Sequence, residues 1–418
     1  MQIGSPFWDA SRRPIIGGAR RKAAAALPSL YLGQVATKTR IPTNLSSTNK
    51  QANARTHHIA RDDITALKIE LPAWYWARTT TKTEISVTGN ISYKAAIEYP
   101  AGTFTQVKFA GAVSGLSTGA VPLLSDFVNV TIPKGAAFWV RTYAVATHSI
   151  VFTDATAGSN CWSCDFANGE AYEYGVSGIV DKTMGGALVP NKTTNDAAIC
   201  FPTAIVAMTR LPSVLLIGDS RMYGFGDFFN VAGDMGEFAR SIGPSLAYIN
   251  AGSSGDSLSE FIASSTRRQA LKAYCSHVVV ETAINALRSG TGQNKTAAAV
   301  LAEQQTILGM FADKRRFVST TAPSTTSANS WIDTTQTLNS NAAQFTLFND
   351  AIRAGVQGVV GYFEIADQVM TARNSNKWKF DGTASKWTAD GLHASAFGYQ
   401  SIQSSGAVDP TRFSRAGL

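Results

Sequence analysis

The chain has 418 residues, 44% of them hydrophobic and 16% charged, with a formal net charge of +8. This length favours roughly two to three domains with enough apolar residues for real cores, and the absence of any run of about 18 apolar residues excludes a transmembrane helix. Five of the positive charges, Arg12, Arg13, Arg20, Arg21 and Lys22, stand together. The basic balance therefore belongs partly to a solvated arm over residues 1–30, and neither nucleic acid nor a membrane is an expected partner.

Within that arm, Ala23 to Leu27 is too short an apolar centre for a secretory signal. From 31 to 212 the pattern is short runs of period two: Ala66–Leu71, Thr83–Thr88, Ser92–Glu98, Thr105–Phe109, Phe127–Ile132 and Ala137–Tyr143. Turns such as Tyr99-Pro-Ala-Gly102 and Ile132-Pro-Lys-Gly135 separate them, which predicts an all-β sandwich domain of jelly-roll type. His57-His58 with Asp62-Asp63 has the residue types of a metal site, but neighbours on a strand point to opposite faces, so a solvated polar run is expected. Residues 154–198 are expected to be mostly loop. They hold Cys161 and Cys164, read as free thiols because no second Cys pair follows to complete a zinc knuckle.

At Leu211-Pro212 the pattern changes. Strands are predicted at Val214–Ile217, Ala247–Asn250, His277–Glu281, Arg316–Ser319 and Gly361–Ile365. Helices are predicted at Ser257–Tyr274, Asn294–Phe311, Ala342–Ala354 and after His393. This alternation over 213–418 predicts a parallel sheet covered on both faces.

The first of these strands breaks into Gly218-Asp219-Ser220, which delivers a hydroxyl to the sheet's carboxyl edge, where open α/β sheets place their sites. A serine needs a base, and the base needs a carboxylate to orient it. Of five histidines only His393 stands in a polar loop of this half, three residues after Asp390.

Gly218-Asp219-Ser220, Asn250-Ala-Gly-Ser-Ser-Gly255-Asp256, the strand His277–Glu281 with Asn285, and Asp390-Gly-Leu-His393 together resemble the four blocks of the SGNH hydrolases, or GDSL esterases. The resemblance covers 213 to about 410. It implies a three-layer, flavodoxin-like α/β domain, with Ser220 as nucleophile, His393 as base and Asp390 as its orienting acid. It also implies an oxyanion hole from the N–H groups of Ser220 and Gly255 and the Asn285 amide. No metal or cofactor is implied. The third block departs from the family's Gly-x-Asn-Asp, with Ala283 and Ala286 in place of Gly and Asp. Trp378, Trp387, Tyr223 and Phe225 lie near these blocks, and flat rings suit sugar faces.

The expectation is a serine esterase that removes short acyl groups, foremost acetyl, from carbohydrate or small esters. A β-domain before an SGNH fold is similar to the arrangement in some carbohydrate esterases. The run from His58 through Tyr143 also looks like domains of bacteriophage tail-associated proteins. The alternative is thus a virion or receptor-binding component with a deacetylating or inactive SGNH module, assembled as an oligomer and acting outside the cell.

Overall fold

The structure is a computed structural model that describes residues 1, 27–78, 81–119, 121–153, 164–191 and 199–416. The basic cluster from Arg12 to Lys22, and Cys161, lie outside the described residues. None of the described helices is long and apolar enough to cross a membrane.

Two antiparallel sheets form most of the first half. One pairs Tyr31–Gln34 with Ala204–Thr209 and the latter with Ile64–Leu71. The other runs through Gly115–Thr118, Asn90–Glu98, Ala137–Ala146, Gln51–Ile59 and Ala171–Gly175. Their inward side chains, among them Leu67, Ile69, Ile97, Phe138 and Val140, meet in a single apolar cluster. That follows from the alternation seen in the sequence, because period two places every second residue on one face.

Charge is buried beside this core. The Glu98 carboxylate, 2% exposed, accepts from Arg55 Nε at 2.8 Å and Nη2 at 2.9 Å and from Arg141 Nε at 2.8 Å. Burial alone would raise its pKa. The two guanidiniums, with the Gly102 N–H, outweigh burial and hold it at about 2. A carboxyl whose folded pKa lies below its unfolded value adds stability above the unfolded pKa and loses it as pH falls through the folded one. Wild-type melting temperature should therefore carry a Glu98 contribution that disappears between pH 4.5 and about 2. In Glu98→Gln that part of the slope should be missing, and stability at pH 7 should fall by about 3 kcal/mol, because two arginines lose their buried counter-charge.

His57 and His58 correct an expectation. They are 3% and 0% exposed instead of solvated. His58 Nδ1 lies 2.8 Å from the Thr37 carbonyl oxygen, and burial lowers its ring pKa to about 3. The strand that carries them is inside its sheet, paired on both sides, and is covered by the 37–40 segment and Phe201. Among the described residues no cluster of His, Cys, Asp and Glu is arranged to hold a metal.

The second half is built on a six-stranded parallel sheet: β1 (Thr39–Arg40), β2 (Ser213–Gly218), β3 (Ala247–Asn250), β4 (His277–Glu281), β5 (Arg315–Ser319) and β6 (Gly361–Phe363), in spatial order β1-β3-β2-β4-β5-β6. Without β1 this is the 2-1-3-4-5 order of flavodoxin-like sheets. Leu215, Ile217, Val278 and Val280 point to one face, under the helices Leu258–Ala263, Ala297–Met310 and Ala342–Ala354. Val214, Leu216, Val279 and Phe317 point to the other, with Ala239–Ile242 and Ala396–Ser404. The result is three layers.

Three differences from the sequence reading matter. The edge strand β1 comes from the segment assigned to the β-domain. And Ala204–Thr209 serves two cores, with Ile205 and Ala207 facing the antiparallel sheets and Ala204 and Val206 packed with Trp74, Trp76, Leu215 and Ile217. The expected helix Ser257–Tyr274 is instead three short turns, Leu258–Ala263, Thr266–Ala270 and Leu271–Tyr274. Ser264 and Ser265 break it, since serine competes for backbone hydrogen bonds and favours helix ends.

Candidate active site

The wholly buried strand β2 ends at Gly218, where a Cβ would lie 2.3 Å from the Met222 Cβ and 2.7 Å from the Glu281 carbonyl oxygen. Only glycine fits there. The Asp219 side chain accepts from the Arg221 N–H at 3.0 Å and so caps a one-turn helix, Ser220–Tyr223, that begins at the serine. In the fourth block, the Asp390 carboxylate receives the N–H groups of Leu392 and His393 at 2.9 and 2.8 Å. Gly391, at φ +72°, turns the chain against the Thr325 carbonyl, where a Cβ would meet that oxygen at 1.9 Å. The indole N–H of Trp378 donates to the Gly391 carbonyl at 3.0 Å. Trp378, 0% exposed, is thus a core brace for this turn and not a sugar platform.

These two turns meet. Ser220 Oγ is 2.7 Å from His393 Nε2, and His393 Nδ1 is 2.6 Å from Asp390 Oδ2. An ionised carboxylate can only accept, so the imidazole proton belongs on Nδ1, which leaves Nε2 free to accept from the serine hydroxyl. Burial pushes the Asp390 carboxyl up, but the hydrogen bond and charge of His393 and the two backbone amides hold it at about 2. Phe225 covers the imidazole with ring centroids 4.2 Å apart. The other described histidines are held elsewhere: His277 by Ser276 and the Ser414 carbonyl, His58 by Thr56 and the Thr37 carbonyl.

The second and third blocks follow β3 and β4, the strands that flank β2. The Ser253 N–H donates to the Gly218 carbonyl at 3.0 Å, which ties the second block to the end of β2. Gly255 stands at φ +78°, a conformation that glycine adopts freely, and its N–H has no acceptor among the described residues. Ser220 N–H opens a helical turn and has no carbonyl four residues back to bind. Asn285 lies in the turn Ile284–Leu287, 7% exposed, with its amide donating to the Asp256 carbonyl at 2.8 Å and a second N–H to spare. Ala283 and Ala286 are 3% and 0% exposed and belong to the apolar core. The departure from the family pattern thus replaces a polar contact with packing.

Several residues were not singled out from sequence. Arg221, fully buried, donates to the Leu392 carbonyl at 2.9 Å and to Thr321 at 2.9 Å, and so joins the serine turn to the histidine turn. Around it lie three buried carboxyl groups. Burial raises Asp219 against the pull of Arg221, raises Glu237 to about 7, and with the neighbouring carboxylates raises Glu281 far above the usual range.

The hairpin Trp74–Trp76/Glu84–Ser86 reaches the second block from the first half. Lys82 Nζ donates to the Gly255 carbonyl at 3.0 Å and pairs with Glu260 at 2.8 Å. Glu84 accepts the N–H groups of Arg267 and Arg268 at 2.8 and 2.9 Å. Arg268, stacked 4.0 Å over Trp76, pairs with Asp256, whose carbonyl holds Asn285. Both Gly255 and Asn285 are therefore connected to this hairpin.

The strand order and the sequence of the four blocks fit the SGNH hydrolases. No protein-family model matches the chain, and neither does any curated protein. Solved structures to which the chain is similar include a GDSL-like lipase from Bacteroides thetaiotaomicron, 13% identical over 46% of this chain and 84% of its own, with a TM-score of 0.33. A variant of a Geobacillus acetyl-xylooligosaccharide esterase is 13% identical over 50% and 94%, with a TM-score of 0.34. A structure titled peptidoglycan O-acetylesterase is 10% identical over 93% and 77%, with a TM-score of 0.39. At such scores these likenesses carry no part of the functional reading, which rests on the geometry above.

Proposed function

We propose that the chain is a serine esterase that hydrolyses short acyl esters, acetyl foremost, on carbohydrate hydroxyls. The observation that carries this is the unbroken line from Ser220 Oγ through His393 to Asp390, at 2.7 and 2.6 Å, at the carboxyl edge of a parallel sheet. In this reading His393 takes the serine proton as Oγ attacks the acyl carbon, then returns a proton to the departing sugar oxygen. Water deprotonated by His393 releases the acid from the acyl-enzyme. Asp390 stays ionised and keeps the imidazole in the required tautomer. The N–H groups of Ser220 and Gly255 and the Asn285 amide hold the oxyanion, each contributing about 3 to 4 kcal/mol at the transition state.

The reading divides the chain into a terminal arm, a β-sandwich over about 31–212 that lends β1 to its neighbour, and a catalytic domain over 213–418. A panel of 4-nitrophenyl esters with acetylated xylan and capsular glycans tests the proposal. Turnover should be greatest for acetyl and fall steeply beyond butyryl, with acetate released from at least one glycan. A preference for long acyl chains overturns the carbohydrate assignment.

A further inference from the structure

Arg288 immediately follows the turn that carries Asn285, three residues further on and bonded through its N–H to the Ile284 carbonyl at 3.0 Å. A spacing of three returns a side chain to the same side of a helical turn. The charges that act on its guanidinium are those of the candidate site, Asp219, Arg221 and Asp390. None of them pairs with it. The Arg288 side chain has no hydrogen bond or ion pair among the described residues. Its Nε is buried without an acceptor, whereas the terminal nitrogens are not enclosed. At Gly292 a Cβ would come within 2.3 Å of the Arg288 Cγ, so glycine at that position makes the room the side chain occupies. Three arginines of the same half are by contrast spent on acceptors, Arg221 on the Leu392 carbonyl, Arg240 on Asp227 and Arg353 on Glu364.

A guanidinium that is unpaired and within electrostatic reach of Asp219 and Asp390 can serve as a binding group for an anion. Its planar fork matches a carboxylate through two parallel N–H···O bonds. The anion should carry a single charge, because the carboxyl groups of Asp219 and Asp390 lie within electrostatic reach and oppose a second one. We infer that Arg288 binds the carboxylate of an acidic sugar, a uronic or ulosonic acid, and thereby directs the esterase to acyl groups on anionic glycans. This rests on the esterase reading and narrows its substrate class.

The test compares mono-O-acetylated methyl glucuronoside with its uronamide, which keeps the shape and loses the charge, and uses 4-nitrophenyl acetate as a reference. Wild type should favour the acid over the amide by about 10- to 100-fold in kcat/KM, the range expected for hydrogen bonds to a charged group. Arg288→Met should erase that preference by slowing the acid alone, with the amide and 4-nitrophenyl acetate unchanged, and Arg288→Lys should restore part of it. Equal turnover of acid and amide by wild type overturns the inference while leaving the esterase intact. So does an Arg288→Met variant that slows acid and amide alike, which would make Arg288 a general support of the transition state. Failure of wild type to cleave any of the three compounds overturns the esterase reading itself.

Discussion

Replacing Ser220 by alanine should abolish ester hydrolysis, with kcat reduced by at least about 10⁴-fold, because members of a nucleophile–base–acid unit act together and removal of one loses nearly the whole effect. The circular dichroism spectrum and melting temperature should remain close to wild type. The hydroxyl supports no other part of the structure, and its hydrogen bond is to His393. The variant should still bind glycan, since the groups around the serine are untouched. Retained turnover would move the chemistry to a different residue and dismantle the proposed mechanism.

His393→Ala should be nearly as damaging, again by about 10⁴-fold or more in kcat. No second histidine can substitute: among the described ones His277 is enclosed by Ser276 and the Ser414 carbonyl, His57 and His58 are buried in the antiparallel sheet, and His148 lies in the first half against Thr147. Loss of the imidazole also exposes Phe225, which stacks on it, so a modest fall in stability is expected alongside the kinetic loss. Acyl-enzyme should not accumulate in this variant with an activated ester. Its accumulation would mean that Ser220 is activated without His393, and that the histidine serves only the second half of the reaction.

The hydrogen-bonded line from Ser220 through His393 to Asp390 was legible in the sequence because each of its ends is local. Gly218-Asp219-Ser220 is a strand end, a cap and a helix start in consecutive positions, and Asp390 folds back on His393 through a single glycine turn. The alternation of strands and helices after Leu211-Pro212 was legible for a similar reason, since periodicity needs only a short window. The rest depends on partners far apart in the chain. Lys82 and Gly255 are separated by 173 residues, Arg221 and Leu392 by 171. β1 is two residues long and has no periodicity to read. The burial of His57 and His58 likewise follows from what covers their strand, whereas composition alone suggests solvent. The break at Ser264-Ser265 was in principle visible, but apolar spacing continued across it and favoured a single helix.

The hairpin that joins Trp76, Lys82 and Glu84 to Gly255 and Asp256 bears on how such a chain can change over evolutionary time. A catalytic module that carried its own oxyanion loop support could be recombined behind any carbohydrate-recognition domain. Under the proposed reading that support comes here from the other half, through contacts of the hairpin with Gly255 and the segment behind it. An exchange of the front half would take catalysis with it unless the incoming partner brought an equivalent lysine, glutamate and tryptophan. New specificities in this lineage should therefore arise by variation of exposed loops on a conserved pair of halves, and the two halves should be inherited together.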